Sequence, residues 1–322
     1  MGLIIPLIIL GFAYNVEPLK SSESITLSAV QGNVPRTGLD LENQRLTVLK
    51  NHVNMTKELL DEISAGNVAE PDLIVWPESA TDIDPLSPGV SATQISSLVS
   101  QTEIPILVGA TTWNGTLPGE IGAGPRNVGI LWSAQEGPGQ LYIKNYLVPF
   151  GEYLPLRDLL ASFITRFDQI PNDFVAGQAI GVFNIAGKLV GDVICFEVAY
   201  ANHIKETITA GAQVMVVQTN NSTFGNTAQP EQQFAITRFR AIENQRAFLV
   251  ASTSGISGLI SNDGTVLAKT TQFEPALVTG EVSLITESTT SHNRPNWVIY
   301  ASIFIIALSW RRNRKTPFAI HS

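Results

Sequence analysis

Three residues of the 322-residue chain have the side chains that thiol-based acyl chemistry requires: Glu78 in VWPES, Lys144 in YIKNYLVPFGEYLP and Cys195 in VICFE. Each stands where an apolar, strand-like run ends or turns. A thiol nucleophile needs a base for its proton, and Glu78 can supply one. Attack on a carbonyl creates an oxyanion, and Lys144 can hold it, with the backbone N–H of Phe196 as a second donor. Cys195 is the only cysteine. The run Leu189 to Ile194 leads into it and a helical pattern from Val198 to Thr209 leaves it, so helix-end N–H groups are expected to favour a thiolate. Singly, each residue has a plainer reading. A lone cysteine is most often a small buried apolar residue, and a charge at a strand end is most often solvated. Three such positions, 66 and 51 residues apart, are harder to read that way.

Other side chains are candidates for supporting roles. Glu152 lies in the loop after the lysine and either assists the site, or merely caps a turn or pairs with Arg157. Glu197 follows the cysteine and either supports it or complements a helix dipole. Phe150 and Tyr153, with Trp113, are candidates to line an acyl groove, although lone aromatics are more often core. Asn220 is a candidate substrate contact. Arg238, Arg240 and Glu243 share one helix and are expected to bridge structural elements. His203 invites a Cys–His pair, but two turns down the following helix it should point away from the thiol.

The elements that must position these groups alternate. Ile25 to Gln31 reads as a strand, Leu39 to Ser64 as an amphipathic helix, and Leu73 to Trp76 as a buried strand delivering Glu78. Val90 to Ser100 is expected to be helical, and Pro105 to Ala110 and Asn127 to Ser133 strands. Gly137-Pro138-Gly139 reads as a turn before a strand-like run from Gln140 to Tyr146. Val148 to Leu156 carries two prolines and a glycine, so it reads as a structured loop. Leu159 to Phe167 suggests a short helix. Ala179 to Ile185 and Lys188 to Ile194 suggest a hairpin about Ala186-Gly187. Gln213 to Gln218 and Ala247 to Ser252 read as strands flanking a helix from Gln229 to Gln245. A second hairpin across Asn262-Asp263-Gly264 joins Ile256–Ile260 to Thr265–Lys269. Leu277 to Leu284 reads as the last strand. The alternation implies an α/β layered fold with reactive groups at strand ends.

Net charge is −8 and the pI about 5.1, which gives no support to nucleic-acid binding. One cysteine excludes an intrachain disulfide framework, and four scattered histidines without zinc spacing point to no metal and no cofactor. Charged residues are only 15% and mean hydropathy is +0.15, so some sequence is expected in a membrane. Residues 1–16 read as the end of a membrane helix and 17–24 as a linker. Residues 25–292 read as a catalytic domain. Residues 295–312 read as a transmembrane helix, because Trp297 to Trp310 is uncharged and the basic run 311–315 follows, with its C-terminus cytoplasmic.

Glu78, Lys144 and Cys195 in these contexts resemble the Glu-Lys-Cys triad of the nitrilase (carbon–nitrogen hydrolase) superfamily, over about Ile25 to Leu284. The resemblance implies an αββα sandwich in which Cys195 is acylated, Glu78 is the general base and Lys144 stabilises the tetrahedral intermediate. Lys144 followed by LVPFGEYLPL, then CFE, TNN, the Arg238/Arg240/Glu243 helix and STSGIS, is similar to the apolipoprotein N-acyltransferase family. That resemblance implies a bacterial membrane enzyme with its catalytic domain outside the cytoplasm. The acyl donor would be a phospholipid, the intermediate a Cys195 thioester, and the acceptor the α-amine of a diacylglyceryl-prolipoprotein. In this pattern Glu152 matches a second acid and Glu197 the acid after the cysteine, while Phe196 replaces a common tyrosine. Asn221 and Thr223 stand where some members carry an acid and a tryptophan. The family has several membrane helices ahead of the catalytic domain, and here only Leu3 to Val16 corresponds to them. A membrane-tethered amidase of the same superfamily is the alternative, and a non-catalytic anchored binding module a more distant one.

Overall fold

The computed structural model describes residues 18–34, 46–81, 83–113, 124–156, 173–222, 225, 227–289 and 297–313. Two six-stranded sheets are built from β1 (Ser24–Gln31), β2 (Leu73–Val75), β3 (Ile106–Thr112), β4 (Arg126–Ser133), β5 (Gly137–Ile143), β6 (Val182–Ile185), β7 (Lys188–Ile194), β8 (Val214–Thr219), β9 (Phe248–Ser252), β10 (Gly258–Ile260), β11 (Val266–Lys269) and β12 (Ala276–Ser283). The first sheet runs β12-β1-β2-β3-β4-β5 and the second β11-β10-β9-β8-β7-β6. Each has a parallel centre, β1-β2-β3 in one and β7-β8-β9 in the other, with antiparallel flanks.

The layers follow from the strands' period of two. Leu27, Leu73, Val75 and Leu107 of the first sheet share a core with Val190, Ile194, Val216 and Leu249 of the second. The opposite faces of the same strands bury Ile74, Ile106 and Val108 under α1 (Thr47–Ser64) and α2 (Val90–Thr102). Met215, Val217 and Phe248 lie likewise under α3 (Ala201–Thr209) and α4 (Gln229–Asn244). Strands buried on both faces read as continuous apolar runs, as LIV and VMVV do. The result is an α-β-β-α sandwich.

Several local expectations shift. Leu46 has φ 73°, in the left-handed region, so α1 begins only at Thr47; residues 35–45 lie outside the described residues. Gly137-Pro138-Gly139 opens β5 instead of forming the turn, and Pro138 pairs with Trp132 where the register slips. That strand ends at Ile143, not Tyr146. The Ala186-Gly187 hairpin holds, with φ 50° and 90°, the two positive values a type I′ turn needs. The segment after Cys195 is not one helix. A 3-10 turn, Cys195–Ala199, is separated from α3 by extended Tyr200. Residues 1–16 and 159–167 lie outside the described residues.

The chain divides into two units, Met1–Thr286 and Glu287–Ser322. The second contains α5 (Trp297–Asn313), of 17 residues. Among the described residues no helix is long and apolar enough to cross a membrane. The expected span at 295–312 is therefore not shown by the described residues. At 1.5 Å per residue α5 reaches about 26 Å, less than the roughly 30 Å hydrocarbon core, and its last turn contains Arg311 and Arg312.

Candidate active site

Each sheet contributes part of one polar cluster. β2 ends at Val75 and the chain turns through Trp76-Pro77 to present Glu78. The edge strand of the same sheet, β5, ends at Ile143 and presents Lys144, which is almost completely buried. Lys144 Nζ lies 3.1 Å from Glu78 Oε1 and 3.0 Å from Glu152 Oε1. Burial opposes its charge most strongly, but Glu78, Cys195 and Glu152 together outweigh that and raise its pKa. Asn127 Nδ2 donates to the same two oxygens, at 2.6 Å to Glu78 and 2.9 Å to Glu152. The outer oxygens are tied to backbone: Asn220 N–H donates to Glu78 Oε2, and Val148 N–H to Glu152 Oε2, each at 2.8 Å.

Cys195 arrives from the second sheet, at the end of β7 and the start of the 3-10 turn. Its φ is 53°, a strained value for a residue with a Cβ. Gln233 Nε2 of α4 points at Sγ from 3.7 Å. Gln233 is itself oriented, since its Oε1 accepts from Thr219 Oγ1 and Asn221 Nδ2. Burial pushes the thiol up to about 12, Glu78's charge adds to this, and Lys144 and Thr219 oppose it without offsetting it. The expected helix-end thiolate is therefore corrected: the resting group is a thiol.

Glu197, fully buried, does not touch the thiol cluster; it stands in the first turn of the 3-10 helix and takes the N–H of its N-cap, Ile194, as an acid at a helix start does. It accepts N–H bonds from Ile194 (2.7 Å), Asn145 (2.7 Å) and Tyr146 (3.0 Å), and an O–H bond from Tyr142. Burial works against its charge, but His203 and these N–H groups hold its pKa below the ordinary range. It thus clamps the cysteine turn to the segment after Lys144. His203 packs behind it, Nε2 2.9 Å from Tyr142 Oη, and does not pair with the thiol.

The other candidates separate. Phe196 and Phe150 are exposed, and Trp113 is exposed at the end of β3. Tyr153 lines a cavity of about 530 Å³ with Tyr146, Leu147, Phe174 and Tyr200; Phe150 is not among its lining residues. The Asn220 side chain accepts from Ser222, so its contribution to the cluster is its backbone N–H. Arg240 donates to the carbonyls of Val198 and Ala199 and pairs with Glu243, and Arg238 donates to Gly264 O, so both bridge elements as expected. Arg157 and Thr223 lie outside the described residues. Sequence reasoning missed Asn127, Thr219 and Gln233. Asn127 had one signal: it lies two residues before Gly129, in phase with the inner face of β4. Among the described residues no group of three or more His, Cys, Asp or Glu could hold a metal ion.

A thiol, a lysine and a glutamate thus converge from the two sheets of the sandwich. Residues 26–290 match the Carbon-nitrogen hydrolase family, and the chain belongs to that family. It is 39% identical over 267 residues to an apolipoprotein N-acyltransferase of Mycolicibacterium smegmatis, covering 83% of this chain and 44% of that protein. It is 30% identical over 265 residues to the Pseudomonas aeruginosa apolipoprotein N-acyltransferase, covering 81% and 48%. The chain thus spans about half the length of the curated relatives it matches. Among solved structures, yeast Nit3 of the nitrilase superfamily superposes with a TM-score of 0.59 at 15% identity, over 82% of this chain and 92% of that one. A variant of the Nesterenkonia AN1 amidase superposes at 0.58 and 14% identity, over 90% and 100%. At such identities these two show the fold alone.

Proposed function

We propose that this chain carries the catalytic domain of an acyltransferase that moves a fatty acyl group from a phospholipid to the α-amine of a diacylglyceryl-cysteine on a prolipoprotein. The observation that carries the reading is the convergence of Glu78, Lys144 and Glu152 beside Cys195 in a chain whose curated relatives are apolipoprotein N-acyltransferases. Because the resting group is a thiol, Glu78 must take its proton as sulfur attacks the ester carbonyl. Lys144 has three N–H donors, two directed at carboxylates, which leaves the third for the oxyanion. Collapse breaks the ester C–O bond, and Glu78 returns the proton to the departing lysophospholipid alkoxide. The acceptor amine then attacks the thioester, its proton passes to Glu78, and the thiolate leaves and is reprotonated. Asn127 and Glu152 hold Glu78 and Lys144 in register. The Tyr153 cavity, walled by tyrosines beside the lysine loop, suits one substrate's apolar portion.

The location that fits this chemistry is the outer face of a bacterial membrane, with the basic tail on the cytoplasmic side. The uncharged stretch of α5 exposes Ile303, Phe304, Ile306 and Trp310. Being short for a span, it would cross only together with the residues that flank it. A cysteine placed at Ser21 should label with an impermeant thiol reagent in intact cells, and one at Asn313 should not; the reverse pattern refutes the orientation.

Intact-mass spectrometry after incubation with phospholipid tests the acyl-enzyme. A fatty-acyl increment that neutral hydroxylamine removes, absent in Cys195→Ser, supports it. No increment, together with hydrolysis of small amides, would replace acyl transfer by the amidase alternative.

A further inference from the structure

A buried polar pair lies among the apolar residues of the core between the two sheets. Val190 and Ile194 of β7 enter it, and Asp192 lies between them on the same face, completely buried. Val214 and Val216 of β8 enter it, and Gln218 is next on that face, also completely buried. The parallel register sets Asp192 beside Val216 and Ile194 beside Gln218, so the two polar side chains are diagonal neighbours. They meet against Gly129 of β4. A Cβ there would overlap Asp192 Oδ2 and lie 2.8 Å from Gln218 Oε1, so only glycine leaves the space both oxygens occupy.

The far end of Gln218 decides its orientation. Nε2 donates to Trp76 O at 2.6 Å and to Leu107 O at 3.3 Å. Oε1 is therefore turned toward Asp192 and accepts from no donor among the described residues, while the Asp192 carboxyl has at most a weak contact with the Val193 backbone N–H. Two acceptor oxygens directed into one fully buried space need a proton between them. Burial and the charge of Glu197 push Asp192 well above the ordinary carboxylate range, against a weaker opposing effect of the Val193 backbone. Tyr142 of β5 also interacts with it, and His203 of α3 lies behind Glu197. Lys144, two residues beyond Tyr142, is committed to Glu78 and Glu152. On this face β4 places Asn127, Gly129 and Leu131 and β8 places Val214, Val216 and Gln218, none of which titrates.

We propose that Asp192 is a neutral carboxylic acid that donates its proton to Gln218 Oε1, and that this bond holds the Gln218 amide on the Trp76 carbonyl. Trp76 begins the Trp76-Pro77-Glu78 turn. Gln218 leads into Thr219, beside the thiol, and Asn220, whose N–H holds Glu78 Oε2. Asp192 is thus a positioning residue that acts through Gln218 on Glu78.

The test compares Asp192→Asn and Asp192→Leu in the full chain. Asparagine has the same shape and donates without titrating. The folded wild type keeps a proton that the unfolded chain releases above about pH 4, so its stability falls as pH rises past that point. The Asn variant should therefore melt above wild type by a margin that widens from about pH 5 to about pH 8. A margin that stays constant or narrows overturns the proposal. Wild type should also show the infrared carbonyl band of a protonated carboxylic acid at neutral pH, lost in Asp192→Asn; no such band overturns the proposal even where the Leu variant does not fold. The kinetic arm rests on reading Glu78 as the base. The pH profile of Cys195 alkylation should move in Asp192→Leu and return in Asp192→Asn, with acyl-enzyme formation slowed about tenfold in Leu and within about twofold of wild type in Asn. A Leu variant with the wild-type alkylation profile refutes the coupling to the site. The melting and infrared arms hold whether or not the enzyme transfers acyl groups.

Discussion

Replacing Glu78 by glutamine should make Cys195 easier to ionise while abolishing its chemistry. The buried cluster holds the carboxylates of Glu78 and Glu152 and one ammonium, Lys144. Ionising the thiol takes it from one net negative charge to two, and in the Glu78→Gln variant the same step runs from zero to one. The thiol stands at about 12 against an ordinary 9.0, with Glu78's charge the largest contribution after burial. Both effects favour the protonated thiol at neutral pH. Burial persists in Glu78→Gln, so only part of the shift is recovered. A fall of at least about one unit gives about tenfold faster alkylation at a given pH. Iodoacetamide alkylation followed by intact mass across pH reads the thiol directly, and single-turnover acylation by phospholipid reads the chemistry. Alkylation should shift to lower pH while acylation falls by a factor of about 100 or more. A thiol that titrates where it does in wild type, or higher, refutes the charge argument. Undiminished acylation refutes the assignment of Glu78 as base.

Asn127→Leu removes the donor that two carboxylates share; it should cost about 1–3 kcal/mol by chemical denaturation, and acyl-enzyme formation should slow as Glu78 and Glu152 lose their common tie. Glu197→Gln should cost about 2–4 kcal/mol at neutral pH. The Glu197 pKa is held low in the folded state, so its contribution is present above the unfolded value and lost as pH falls through the folded one. The melting-temperature gap to wild type should therefore close below about pH 4.5. Gly129→Ala drives a methyl into Asp192 and Gln218; a loss of about 1–3 kcal/mol is expected by chemical denaturation, and an unchanged midpoint would contradict the sheet spacing described.

The sandwich was legible because its central strands are buried on both faces, which writes runs such as LIV and VMVVQ between turn residues. The triad was legible because Glu78, Lys144 and Cys195 interrupt such runs at their ends. Asn127 was not, because a polar residue near a strand's start looks ordinary until the fold brings two carboxylates to it. The break at Tyr200 was hidden for a related reason. Helical periodicity runs through Val198, but Glu197 binds the backbone N–H groups of Ile194, Asn145 and Tyr146, and those bonds depend on tertiary contact. The thiol's protonation depends on burial beside Glu78, 117 positions away in the chain. Asp192 left a readable trace: a charge in phase with Val190 and Ile194 marks a polar group facing a core.

The edge of the first sheet has a consequence for synthesis. Glu78, Lys144 and Cys195 all precede β12, yet β12 pairs with β1 along eight residues, Ser24↔Ser283 through Gln31↔Ala276. While the ribosome is still making residues 196–275, every reactive group has been translated, but the sheet bearing Glu78 and Lys144 lacks its outermost strand. The sheet that presents Glu78 and Lys144 is therefore complete only once the chain's two distant strands pair. A nascent chain stalled before Ala276 carries all three groups in an open-edged sheet.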